Sequence, residues 1–512
     1  MPTRGWVTAR SGRQAKRLLL LKHRKAAGLV FFTLTVCPLV ARSQTAAQSP
    51  STQPQYQSTT QSSGTSILLQ SQSPFQGSVP AGKASPETLA LTFADAINRG
   101  LQNNLGLLLS GDNTLSARGQ RWKELSNLLP NITTTTLEAM QETSLAALGL
   151  KNALAVPGVQ LPNVVGPFNY FDTRIFLHQS VLNLNYLEKE RGAAFNVQSA
   201  QHNYRDAREL VVLAVGNGYL QALAGGARVD TARAQVDTAQ ALYNKAVDQQ
   251  KAGVSPAIDT LRAQVEQQTR QQQLIVARND FAKQKLGLGR IIGLPSAQEF
   301  TLAEKAPYEP LTPMSLEQSV QRALSLRSDY KALQAQVRAA EWSRRAATAE
   351  YFPTLDFSAN YGAIGVSPRS TDTTYQLTGS INIPLFQGGK VHGEVLQSEA
   401  TLRQARSQLD NLGAQIEYEV RTSLLDLNAA AEQVEVARSS VDLAQQTLTQ
   451  AQDRFAAGVT DNLEVIQAQE ALASANENYI SSLYAHNLAK VQFARATGFA
   501  EEGVKQYLRG KP

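Results

Sequence analysis

The chain contains its own copy. Shifted by 205 positions, the stretch 215–294 falls without a gap onto 420–499: Val236-Asp237 meets Val441-Asp442, Gly253-Val254 meets Gly458-Val459, and Ala263-Gln264 meets Ala468-Gln469. Earlier in each copy the offset is 223, which pairs Leu129-Pro130 with Phe352-Pro353 and Thr92-Phe93 with Ser315-Leu316. An internal repeat of this length restricts the fold to one supersecondary unit used twice. The change of offset puts about 18 extra residues in the first copy between Pro130 and Ser180, where an exposed loop is expected. The expected division is a signal peptide at 1–43, a disordered Gln/Ser/Thr/Pro-rich leader at 44–85, a first structural repeat at 86–294, a proline-rich linker at 295–313, a second repeat at 314–500 and a tail at 501–512.

The formal charge of +7 is concentrated at one end: residues 1–43 carry nine Lys/Arg and no acid, leaving 40 bases against 42 acids in the rest. The basic balance is therefore no sign of nucleic-acid binding. Those bases precede the apolar run Ala26 to Val40 and the small residues of Ala41-Arg42-Ser43, the pattern of an export signal cleaved near Ser43. An uncleaved anchor helix and a lipid-anchored start at Cys37 are the alternatives. Cys37 is the only cysteine, so the mature chain has no disulfide framework.

Within each copy the hydrophobic period switches from two to helical. Leu355, Phe357, Ala359 and Tyr361 alternate with polar residues, as do Tyr375, Leu377, Gly379, Ile381 and Ile383. This predicts two amphipathic strands of about ten residues forming a hairpin, the length of a tilted membrane-barrel strand. Copy one repeats the device less cleanly over Asn131 to Gln141 and Tyr170 to Val181, around a loop holding Pro157-Gly158, Pro162 and Gly166-Pro167. No other strand-rich region supplies a second sheet, so lipid is the expected partner of the apolar faces. Tyr361 and Tyr375 suit an interfacial girdle.

After each hairpin the apolar residues step by three and four: Val434, Ala437, Val441, Ala444, Leu448, Ala451 and Phe455 in copy two, and Val229, Ala232, Val236, Ala239, Tyr243 and Ala246 in copy one. That is a coiled-coil seam rich in alanine. The proline-free run from Tyr186 to Gln250 predicts a helix about 97 Å long at about 1.5 Å per residue, with possible bends at Gly216, Gly218, Gly225 and Gly226. It ends at Gly253-Val254-Ser255-Pro256, where Gly253 suits C′, Ser255 the N-cap and Pro256 N1 of a returning helix. Gly458-Val459-Thr460-Asp461 is its twin. Pro295, Pro307, Pro310 and Pro313 then interrupt the helices, and Ser315 to Ala349 resumes as one helix.

Four strands from one chain cannot close a barrel, and open edges in lipid leave backbone groups unsatisfied at several kcal/mol each. The barrel must be shared between chains, two giving eight strands and three giving twelve. The predicted fold class is mainly α with β: a tandem duplication whose four strands contribute to a shared transmembrane β-barrel, continuous with a long α-helical coiled-coil barrel.

From Pro86 to Ala500 the chain resembles the TolC-type outer membrane efflux proteins. The likeness is carried by Leu91-Thr92-Phe93-Ala94-Asp95-Ala96-Ile97, the Leu129-Pro130 and Phe352-Pro353 pairs, the strand exit Ile383-Pro384-Leu385-Phe386-Gln387-Gly388-Gly389 and both tip motifs, in doubled order. The resemblance implies a homotrimer in the outer membrane of a Gram-negative-type bacterium, reaching through the periplasm as a passive exit duct of a tripartite efflux or type I secretion system. Its implied partners are a periplasmic adaptor, an inner-membrane transporter and outer-membrane lipid. It also implies an entrance gate near Asp259, Glu464 and Gln467, the last standing where a second acid is common. The tip turns Gly253, Val254, Ser255, Gly458, Val459 and Thr460 are then expected to dock the adaptor. Three copies of Asp259 and Glu464 would make a ring of six carboxylates, favouring cations; an acid in a first helical turn equally serves the helix dipole.

Catalytic chemistry has no foothold. The five histidines lack partners at ligand spacing, and neither a Gly-Lys-Ser/Thr phosphate loop nor a G-x-S-x-G turn occurs. No enzyme, cofactor or metal site is expected. The competing readings are a secreted structural coiled coil, which leaves the strands without purpose, and a periplasmic adaptor, which usually carries one hairpin and soluble β domains.

Overall fold

The computed structural model describes residues 73–149, 162–304, 308–311 and 315–507, the last four as backbone only. The signal peptide, the leader up to Gln72, Pro157-Gly158, Pro307, Pro313 and the end of the tail lie outside the described residues. In the first half β1 (Leu89–Leu91) leads into α1 (Phe93–Asn103) and α2 (Leu105–Ser126), then β2 (Asn131–Ser144), β3 (Val164–Leu182), α3 (Leu184–Lys251) and α4 (Ala257–Ile292). The second half runs β4 (Phe300–Leu302), α5 (Leu316–Leu326), α6 (Ser328–Ala349), β5 (Thr354–Ser367), β6 (Ser370–Asn382), α7 (Lys390–Ala456) and α8 (Asn462–Ala496), and α9 (Ala500–Tyr507) follows.

Equivalent residues start equivalent helices. The Thr92 hydroxyl accepts from the Asp95 amide to open α1, and the Ser315 hydroxyl accepts from the Gln318 amide to open α5. Ser315 to Ala349 is two helices, not one. Arg327, with φ −54° and ψ 127°, separates α5 from α6, and Asn104, with φ −66° and ψ 129°, separates α1 from α2 at the equivalent place. Neither break carries proline or glycine, and this is why apolar spacing alone passed over both.

Helix α3 is continuous over 68 residues, about 100 Å, and its glycines do not interrupt it. They admit neighbours instead: Gly216 lies against Val491 of α8, and a β-carbon at Gly218 would stand 3.2 Å from Ile291 of α4. One 18-residue window of α3 is apolar enough to cross a membrane, but half of it is buried against the chain's own elements. The waist core explains that burial: Val211, Val212, Val215 and Tyr219 pack with Phe93, Ile97, Leu288, Ile292, Phe300 and Val491. Below it, Leu242, Ala246, Ala263, Leu448, Ala451, Phe455, Val465 and Ala468 gather α3, α4, α7 and α8 into one core near the tips. Two short features were not expected. Strands β1 and β4 pair in parallel over three residues each, too few to show alternation. The tail begins as helix α9, whose Glu501 pairs with Arg208 of α3.

The other sheet has the order β2-β3-β5-β6, antiparallel throughout. Its strands are 14, 19, 14 and 13 residues long rather than about ten, because pairing continues through ends that lack strict apolar alternation, such as Ser370 to Thr374 of β6 and Gly362 to Ser367 of β5. Register sorts the side chains by face. On one face Thr134, Ile175, Tyr361 and Tyr375 form one cross-strand row and Ile132, Leu177, Ala359 and Leu377 the next. On the other, Thr133, Phe176, Asn360 and Gln376 share a row, and Arg174 pairs with Asp172 at 2.7 Å. Leu377 and Ile381 are about two-thirds exposed, 67% and 68%. An apolar face this open needs a partner that is not this chain's own helices.

Candidate functional site at the helical tips

Both long hairpins turn with the same backbone device. At the end of α3 the Val254 amide donates to the Gln249 carbonyl and the Gly253 amide to the Gln250 carbonyl; at the end of α7 the corresponding bonds run from Val459 to Arg454 and from Gly458 to Phe455. This is a Schellman closure, and it needs a left-handed residue at C′. Gly253 supplies φ 74° and Gly458 φ 72°. The turns leave Val254 and Val459 at the apex, 75% and 68% exposed.

The helices that return from these turns begin differently. Pro256, with ψ 155°, occupies the cap position itself, so α4 starts at Ala257, one residue later than expected. Ser255 therefore does not cap; its buried hydroxyl has no hydrogen-bond partner among the described residues. Thr260 closes this hairpin by donating to the Gln250 side chain at 2.6 Å. In the second hairpin Thr460 leads into Asp461, whose carboxylate accepts from the Leu463 amide at 3.2 Å and caps α8 in the usual way.

The two tips are clasped together. Asn462, fully buried, donates its side-chain N–H to the Asp259 backbone carbonyl at 2.7 Å. Arg262 stands 3.6 Å from Asp259 on its own helix and 3.9 Å from Asp461 on the other hairpin. Asp259 is itself buried, Glu464 pairs with Arg454 of α7 at 3.2 Å, and Gln467 is exposed. The two acids thus sit in separate pairs, each opposite an arginine. Sequence reasoning missed Asn462, Arg262 and Arg454. Arg262 had a legible signal, being three residues after Asp259 on a helix; Asn462 had none, because an Asn beside an N-cap reads as a surface residue.

Above the tip core lies a polar layer. Glu266 and Arg270 form a buried pair on α4, and both amide atoms of the buried Gln469 side chain on α8 lack partners among the described residues. Arg270, Gln469, Gln235, Gln445 and Gln452 line a cavity of about 400 Å³ between the two hairpins. Leu448 and Leu472 of the tip core border the same cavity. Among the described residues no group of His, Cys, Asp and Glu is placed to hold a metal ion.

A lipid-facing sheet, paired coiled coils and matched tips now stand together, and the family profile "Outer membrane efflux protein" matches residues 177–294 and 319–499, more than half the chain. The chain belongs to the outer membrane efflux protein family. Among its relatives, the alkaline protease secretion protein AprF of Pseudomonas aeruginosa is 23% identical, covering 65% of this chain and 71% of the relative. The outer membrane efflux protein BepC of Brucella suis is also 23% identical, covering 82% and 88%. The Campylobacter jejuni CmeC outer membrane channel has the same fold, with TM-score 0.70 at 15% identity over 85% of this chain and 95% of that one. This member of the family is thus a non-enzymatic outer-membrane channel that extends into the periplasm, of the kind serving efflux and type I secretion systems. Channels of this TolC family work as trimers in tripartite pumps. The structural coiled-coil and adaptor readings fall away.

Proposed function

We propose that three copies of this chain assemble into a twelve-stranded barrel over a helical duct, with the clasped tips as its periplasmic entrance. The observation that carries the reading is the four-stranded sheet, whose β2 and β6 edges are open and whose one face is apolar and exposed. In a closed ring of copies one neighbour pairs with the β2 edge and the other with the β6 edge. Apolar residues at Ile258, Leu261, Val265 and Val276 run along the exposed side of α4 at helical spacing, and support side-by-side packing of subunits.

Opening then requires the two hairpins of each subunit to part. The clasp at Asn462, Asp259, Arg262 and Asp461 opposes that movement, and Gly253, Val254, Ser255, Gly458, Val459 and Thr460 present the surface on which a periplasmic adaptor docks. Energy comes from an inner-membrane transporter, as for channels of tripartite pumps. AprF is named for secretion of a protein and BepC for efflux. A shared duct fold under both names supports leaving the choice of cargo to the partners. In planar bilayers the wild type is expected to conduct weakly and Asn462→Ala several-fold more; a protein extracted without detergent, or one that never conducts, rules the reading out.

A further inference from the structure

The break between α5 and α6 is the centre of a partly buried network of charges drawn from several helices, in which Arg327 and Glu209 are buried and the other groups half-buried. Arg327, at the break, holds Asp329 by two guanidinium contacts, 2.6 and 3.1 Å, and reaches Glu419 of α7. Arg495, one residue from the end of α8, donates to Glu209 of α3 at 3.1 Å and to Asp206 one turn earlier, and lies 3.8 Å from Asp329. Arg208, on the same stretch of α3, ties α9 to the joint through Glu501 at 2.6 and 3.0 Å, so its charge is already matched. Lys331 and Arg205 lie toward His202, one to two turns up α3. Of the groups that meet at the centre, four are carboxylates (Asp206, Glu209, Asp329, Glu419) and two are guanidinium groups (Arg327, Arg495).

A cluster with two more acids than bases, centred on the buried Glu209 and Arg327, is costly when fully ionised, and a bound proton relieves the excess. We infer that this cluster is a proton-operated joint, which closes α3, α6, α7 and α8 around Arg327 and Arg495 when it takes up a proton and loosens when it releases one. It goes beyond the channel reading and is independent of how the tips open. Glu209 is the seat of the proton: burial first, and then its neighbours Asp206 and Asp329, push its carboxyl up to about 7 against the pull of Arg495 and Arg327. Burial also raises Asp206, whereas the hydrogen bonds and charge of Arg327 hold Asp329 below the usual carboxylate range in spite of its burial.

The sign follows from proton counting. A carboxyl raised in the folded state binds more protons there than in the unfolded chain, so stability is greatest at low pH within this window and declines as pH rises toward about 7. The position of the cluster at a helix break makes the loss local. Hydrogen exchange of α5, α6 and the start of α9 in detergent-extracted protein, together with its melting temperature, is to be followed from about pH 5.5 to about pH 8.5. With the base-catalysed intrinsic exchange rate divided out at each pH, the wild type is expected to lose protection and melt several degrees lower at the alkaline end, and Glu209→Gln, which keeps the shape of the protonated acid, to show a nearly flat profile of protection and melting temperature. Should Glu209→Gln not assemble, Glu419→Gln at the more exposed edge of the cluster reduces the same excess of acid and must flatten the profile partly. A wild-type profile without slope, or a variant slope equal to that of the wild type, overturns the assignment.

Discussion

At the scale of single residues, the proposed entrance carries its acids in pairs with arginines within one chain. Asp259 and Glu464 each face an arginine, so a ring of these acids in the proposed trimer would carry arginines beside them. The exposed Arg454–Glu464 pair is worth only about 0–1 kcal/mol in stability, yet it cancels charge at the proposed entrance. Arg454→Ala is therefore expected to raise cation over anion permeability, read as a shift in reversal potential across a salt gradient, with the fold intact. Replacing Asp259 and Glu464 together with alanine should lower it. If both variants keep the wild-type reversal potential, these side chains act only as helix-terminal partners.

At the scale of elements, the strands offer the sharpest contrast, because neighbours in sequence face opposite media. Leu377 belongs to the apolar row with Ala359 and Leu177, whereas Gln376 shares the polar row with Asn360 and Phe176. A lysine on the lipid face costs about 2–4 kcal/mol near the bilayer centre, and a lumen position tolerates it. Leu377→Lys is expected to reduce the yield of folded protein in outer-membrane fractions strongly and Gln376→Lys to leave it nearly unchanged; equal yields would remove the lipid assignment. Much of this was legible beforehand, since alternation from Leu355 to Tyr361 and heptad spacing from Val434 to Phe455 are both local signals. What escaped was long-range or short. The breaks at Asn104 and Arg327 are held by contacts with distant residues, Phe75 in one case and Glu419 in the other. The β1–β4 ladder is only three residues long, and the cap at Pro256 differs from its expected place by one position because the proline stays extended.

At the scale of the whole molecule, duplication and openness have one explanation. Each repeat provides two strands of this sheet and one coiled coil, and two repeats give four strands whose β2 and β6 edges are unpaired among the described residues. A sheet of that width, apolar on one side, is satisfied only when other copies extend it into a closed wall. The long helices follow the same logic, since alanine-rich seams such as Ala430, Ala437 and Ala451 of α7 allow close approach and leave outer stripes for a neighbour. Native mass spectrometry of the mature protein released from detergent micelles tests this claim most directly. The account predicts a particle with the mass of three chains; a monodisperse single chain that keeps its sheet folded would contradict it.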